Sequence, residues 1–154
     1  MLICNHVVAG GAIGWVLRKH PVLAFGAGVI SHLALDAVPH WGLAKNAPDR
    51  EERFLRVAKV DGCVGCVLMA GIVVSTGAKL GVLAGLAGAT LPDIDKPARH
   101  FFGVDPSPKW FKRIHVAVQN EREELMRREI AINVAASVGW ILFTWWLRRG
   151  RAKA

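Results

Sequence analysis

The sequence predicts an all-α protein, an integral membrane bundle of about five hydrophobic helices, some short or re-entrant, forming one domain over residues 1–154. Three observations lead there. Hydrophobic residues make up 53% of the chain, with a mean hydropathy of +0.32, and they fall in long blocks. Basic, proline- or glycine-containing breaks separate the blocks, while no Pro/Ser-rich linker or low-complexity tract divides the chain. The acidic residues, with every histidine but His20, also collect at one end of the implied bundle, a segregation that a soluble helical core has no reason to produce.

The first block runs from about Leu2 to Leu17 and stops at Arg18-Lys19-His20-Pro21; Gly10 and Gly14, four apart, let a second helix approach closely. The second runs from Pro21, a proline suited to a first helical turn, to Val38. Trp41 to Arg53 is polar, contains Pro48 and reads as a loop entering a helix near Asp49, Glu51 and Glu52. The third block spans about Phe54 to Thr76. After a turn at Gly77 and Lys79, the fourth runs to Leu91, with Gly81, Gly85 and Gly88 along it, and Pro92 ends it. A polar segment at about 93–128 contains an amphipathic piece with Trp110, Phe111 and Ile114, and the last block, Ile130 to Leu147, precedes a basic tail at 148–154.

Short connections make neighbouring helices antiparallel. His6 then begins the first helix at the same end where Ser31-His32 to Asp36 and His40 close the second, Asp61 begins the third, and Asp93, Asp95 and His100 follow the fourth. The opposite end receives Arg18, Lys19, His20, Lys79 and the basic tail, with Trp15, Trp145 and Trp146 as an interfacial belt. The formal charge of +8 therefore sits where lipid headgroups would meet it, and nucleic acid is not the expected partner. Cys4, Cys63 and Cys66, odd in number and in apolar surroundings, do not form a disulfide framework, and Cys63-Val-Gly-Cys66 reads as packing. No positively charged segment precedes Asn5 and His6, so the first block is expected to stay in the protein.

His32, Asp36 and His40 recur every four residues. His32 and Asp36 share a helix face one turn apart, whereas His40 lies beyond Pro39 and about 12 Å along the axis from His32 if the backbone stays helical, so the two histidines need not hold one ion. Asp93-Ile94-Asp95 places two carboxylates together just past a proline-terminated helix. Mixed imidazole and carboxylate ligands suit a divalent metal, zinc first and manganese or iron next, as one or two ions that activate water and polarise a phosphoryl oxygen. The candidate metal ligands are His6, His32, Asp36, His40, Asp93, Asp95 and His100, with Asp61 or Asp95 accepting a proton from water. His115, on the amphipathic piece, reads as an interfacial residue. No phosphate loop, G-x-S-x-G elbow or H-E-x-x-H occurs.

Asn5-His6 before a glycine-rich helix, Ser31-His32-Leu-Ala-Leu-Asp36-Ala-Val-Pro-His40-Trp41 and Leu91-Pro92-Asp93-Ile-Asp95-Lys-Pro97 together resemble the membrane-bound metal-dependent hydrolase family over roughly the first hundred residues. The resemblance implies a small multi-helix protein of the prokaryotic inner membrane with a His/Asp metal centre and hydrolase activity. A looser similarity, carried by the H-x-x-x-D pair His32 and Asp36, links it to zinc-dependent phospholipase C. The expected substrate is a lipid or other phosphoester at the membrane interface. The rival expectation is a non-catalytic membrane module with a metal- or partner-binding pocket, serving structure, transport or regulation.

Overall fold

The computed structural model describes residues 1–44 and 47–151, so the last three residues of the expected basic tail lie outside the described residues. Among the described residues the fold is all-helical: α1 (Ile3–Val16), α2 (Pro21–Ala37), α3 (Arg50–Thr76), α4 (Leu80–Thr90), α5 (Asp95–Phe102), α6 (Lys109–Val118) and α7 (Met126–Arg151), with 3-10 turns at Leu91–Asp93 and Glu123–Leu125.

Local chemistry sets most of the boundaries. Pro21 opens α2 with a preset φ, and Val38 ends it in extended backbone (φ −73°, ψ 141°) because Pro39 disfavours the helical conformation of the residue before it. Gly77 closes α3 in the left-handed region at φ 69°. Two helices begin earlier than their apolar blocks, α3 at Arg50 and α7 at Met126, because helix propagation continues into polar residues on the outer face. The polar segment expected at 93–128 is largely helical, folding into the amphipathic α5 and α6.

The core is organised on α4, which packs against both α1 and α2. A Cβ at Gly85 would stand 2.5 Å from the Gly10 carbonyl oxygen, and one at Gly88 would stand 2.1 Å from that of Phe25. Glycine at these positions lets three backbones meet directly, as the small-residue spacing in the sequence predicts. α7 runs parallel to α1 in a fixed register: Leu2 N–H donates to Glu129 at one end (2.9 Å), and the rings of Trp15 and Phe143 meet edge-on at 6.3 Å near the other.

Two helical stretches, Arg50–Thr76 and Glu123–Trp146, are long and apolar enough to cross a membrane, whereas Ile3–Val16, Pro21–Ala37 and Leu80–Asp93 are shorter. The 17 residues of α2 reach about 26 Å at 1.5 Å per residue, short of a hydrocarbon core of about 30 Å. The apolar windows of the two long helices are only 11% and 17% buried, so their apolar surface points outward, with Val67, Val74, Ile141 and Trp146 among the exposed side chains.

Replacing Gly85 by alanine should overpack the α1–α4 contact and cost about 1–3 kcal/mol, read as a lower unfolding temperature in detergent. Gly71→Ala, inside α3 where an added Cβ meets nothing within 4 Å, should not lower that temperature.

Candidate metal centre

One fully buried carboxylate organises the polar end. Asp36, in the last turn of α2, has no solvent exposure. Its Oδ1 lies 2.9 Å from the Met1 amine and 3.3 Å from His6 Nε2; its Oδ2 lies 3.1 Å from His32 Nε2, 2.9 Å from His115 Nε2 and 2.6 Å from Gln119 Nε2. Asp93, in the turn after α4, approaches the same point, with Oδ1 at 3.7 Å from His32 Nε2 and 3.6 Å from His115 Nε2. Two donor groups result, His6–His32–Asp36 and His32–Asp93–His115, each with its ligand atoms within 4.8 Å of one another and every member buried.

Each side chain of the cluster is held from behind. The glycine contacts that seat α4 also bring the Ala89 carbonyl to 2.7 Å from His32 Nδ1, which donates to it, and this leaves Nε2 as a lone pair directed at the cluster. His6 stacks on His32 with ring centroids 3.8 Å apart and reaches the site because α1 is capped by two distant carboxylates. Asp61 of α3 accepts from the Ile3 and Cys4 N–H groups at 2.6 and 3.2 Å and contacts Cys4 Sγ, while buried Glu129 of α7 accepts from Leu2 N–H and, at 3.2 Å, from Trp41 N–H. These carboxylates satisfy donors that the first turn of a helix leaves unpaired. His115 arrives because the chain after α6 pairs with the chain after α2: Asn120 N–H donates to the Asp36 carbonyl at 3.0 Å and Arg122 N–H to that of His40 at 2.7 Å.

The cluster is rich in acceptors and short of donors. A neutral His32 with Nδ1–H committed to Ala89 presents a lone pair to the Asp36 carboxylate only 3.1 Å away, a repulsion that a second proton or a shared cation removes. Both ring nitrogens of His6 are buried without a hydrogen-bond partner, since the 3.3 Å approach of Nε2 to Asp36 lacks the alignment of one. Orphaned imidazole nitrogens converging with two carboxylates are what a divalent cation site requires, so the residues present fit such an ion.

Four of the sequence candidates, His6, His32, Asp36 and Asp93, meet at this point. The others stand elsewhere. His40 is buried but directs Nε2 to Gln119 Oε1 and Nδ1 to the Val38 carbonyl, both at 2.9 Å, because Pro39 turns the chain out of the helix that carries His32 and Asp36. It positions Gln119, whose amide contacts Asp36 and His115. Asp95 points away from the cluster and pairs with Arg99 at 3.0 Å and Lys112 at 3.6 Å, since the 3-10 turn rotates it away from Asp93. Asp61 is committed to the α1 cap, and His100 is exposed against Phe101. His115, which the amphipathic pattern assigns to the interface, is instead buried in the cluster beside Gln119, the two repeating the i, i+4 spacing of His32 and Asp36 on the inner face of α6. Sequence reasoning passed over Glu129, a single acid opening an apolar block in the way Asp61 does.

At the outer edge, Lys96 Nζ lies 2.7 Å from Asp93 Oδ1. Burial penalises the ammonium, but the Asp93 carboxylate outweighs that cost and holds its pKa above the ordinary lysine value. A hydrogen bond from Lys112 holds the exposed Asp105 carboxyl below its usual range.

Comparison of the chain with protein-family models, with curated proteins and with solved structures returns no match.

If Asp61 serves the cap, Asp61→Ala should cost about 1–2 kcal/mol of stability and leave metal binding in place at temperatures where the variant is folded. Loss of bound metal at unchanged stability would make Asp61 a ligand instead.

Proposed function

We propose that the protein is a membrane-embedded, metal-dependent hydrolase acting on a phosphoester, a lipid among the candidates, presented at the membrane interface. The observation that carries this reading is the convergence of His6, His32, Asp36, Asp93 and His115 on one buried point at the end of an apolar helix bundle. The mixed imidazole and carboxylate donors suit zinc, with manganese or iron next. His32 belongs to both donor groups through a single available nitrogen, so one ion shared by the whole set is the simplest occupant. Such a cation supplies an acidified water and Lewis-acid polarisation of a phosphoryl oxygen.

The chain's own residues hold and orient. Gln119 fixes the Asp36 carboxylate and the His115 ring together, Ala89 fixes the tautomer of His32, and the two caps on α1 fix the depth of His6. Lys96 places a positive charge beside Asp93 at the outer edge, where an anionic phosphoester would approach. The membrane part of the reading rests on the length of α3 and α7 and on their outward apolar surfaces; α1, α2 and α4 then form the short inner helices of a five-helix membrane bundle. The motif resemblance to the membrane-bound metal-dependent hydrolases agrees with this assignment and favours a prokaryotic cell membrane. Complete burial of His6, His32 and Asp36 favours a second reading, a non-catalytic module with a structural ion, and turnover separates the two.

Wild type purified in detergent without chelators should carry about one equivalent of zinc, and His32→Ala and Asp36→Ala should lose it. Hydrolysis of phospholipid or phosphodiester substrates should fall about 100-fold or more in both variants and persist in His20→Ala, whose histidine is exposed at the opposite end. Metal without turnover would assign the site to the non-catalytic module, and absence of metal after zinc readdition would contradict both readings.

A further inference from the structure

α6 has two faces with different chemistry. At 3.6 residues per turn, Phe111, Lys112, His115, Val118 and Gln119 share the inner side, and His115 and Gln119 enter the metal centre from it. The opposite arc carries Lys109 and Arg113 between Trp110, Ile114 and Val116, which are 64%, 46% and 67% exposed. The adjoining end of α5 adds Phe101 and Phe102 at 63% and 78% exposure. Among the described residues these side chains stay exposed, while α6 packs inward on α2.

The charges on this surface have one sign. Residues 95–118 hold five Lys or Arg and two Asp. Both acids are already engaged, Asp95 with Arg99 and Lys112, and Asp105 with Lys112. Among the described residues Lys109 and Arg113 form no ion pair, and they lie beside large apolar side chains that a water-facing helix would not display. Basic side chains set between an exposed tryptophan and aliphatic residues match the headgroup layer of an anionic membrane, where ring and methylene stems enter the acyl boundary and charged ends meet phosphate.

We propose that the outer face of α6, with Phe101 and Phe102 of α5, docks on anionic phospholipid headgroups. The inference rests on the membrane reading above, and it also names the lipid class brought nearest the metal centre. Docking ties His115 to the bilayer surface, since one ten-residue helix carries the lipid-facing and centre-facing residues.

The test uses the full chain in nanodiscs whose acyl chains are brominated near the headgroup, made either of phosphatidylcholine alone or with about one third phosphatidylglycerol. The emission assigned to Trp110, taken as wild type minus Trp110→Phe, should be quenched at least twofold more in the anionic discs, and 0.5 M salt should reduce the difference. Lys109→Gln/Arg113→Gln, which keeps the helix and its apolar residues, should abolish the lipid dependence. Equal Trp110 quenching in the two lipids overturns the proposal, as does a signal that follows protein density at fixed lipid, which would place a second copy of the chain on this face. Zinc content of the same preparations is measured separately, so loss of the metal reading and loss of the docking surface are distinguishable.

Discussion

Moving a carboxylate out of water costs several kcal/mol even after the surroundings relax, and Asp36 is wholly buried. The polar end of this protein is arranged around that cost. Three histidine nitrogens, an amide and an amine stand within 3.3 Å of its two oxygens, and each comes from a different part of the chain or from the next turn of the same helix. The amine and the amide donate to it outright, and losing either leaves a buried charge short of a partner, so the ends of α1, α2 and α6 have little freedom to move independently. The same requirement explains why acids of α3 and α7, Asp61 and Glu129, are spent on backbone donors: they fix the start of α1 so that His6 meets Asp36 at the right depth.

The opposing requirement comes from the core. α4 has to lie close enough for its last carbonyls to reach α2, and only glycine at positions such as 85 and 88 permits that approach. Backbone contact in the apolar half thereby sets the tautomer of His32 in the polar half, through the Ala89 carbonyl. A packing feature of the kind usual in membrane helices and a feature of the donor set are thus two consequences of one helix position.

Much of this was legible in the sequence. The apolar blocks gave the inner helices to within a residue or two because Pro21, Pro39, Gly77 and Pro92 act locally on the backbone. Counting helices placed His6, His32, Asp36 and Asp93 at one end, since helix direction alone decides that. What escaped was set by longer-range geometry. Nothing local shows that the chain after α6 pairs beside His40 and delivers His115, while a residue offset of two between Asp93 and Asp95 decides which faces the centre and which faces Arg99 and Lys112. Spacing made His40 resemble a third ligand, but Pro39 gives it a separate direction and Gln119 as its partner.

The central claim is that a divalent cation occupies the point where these side chains converge, bound by imidazole as well as carboxylate. X-ray absorption at the zinc edge of the reconstituted protein addresses it most directly. The account predicts a first shell containing imidazole nitrogens at about 2.0–2.1 Å with the outer-ring scattering of histidine, and one imidazole fewer in His115→Ala. A shell of oxygen alone, or one that His32→Ala and His115→Ala both leave unchanged, would contradict it.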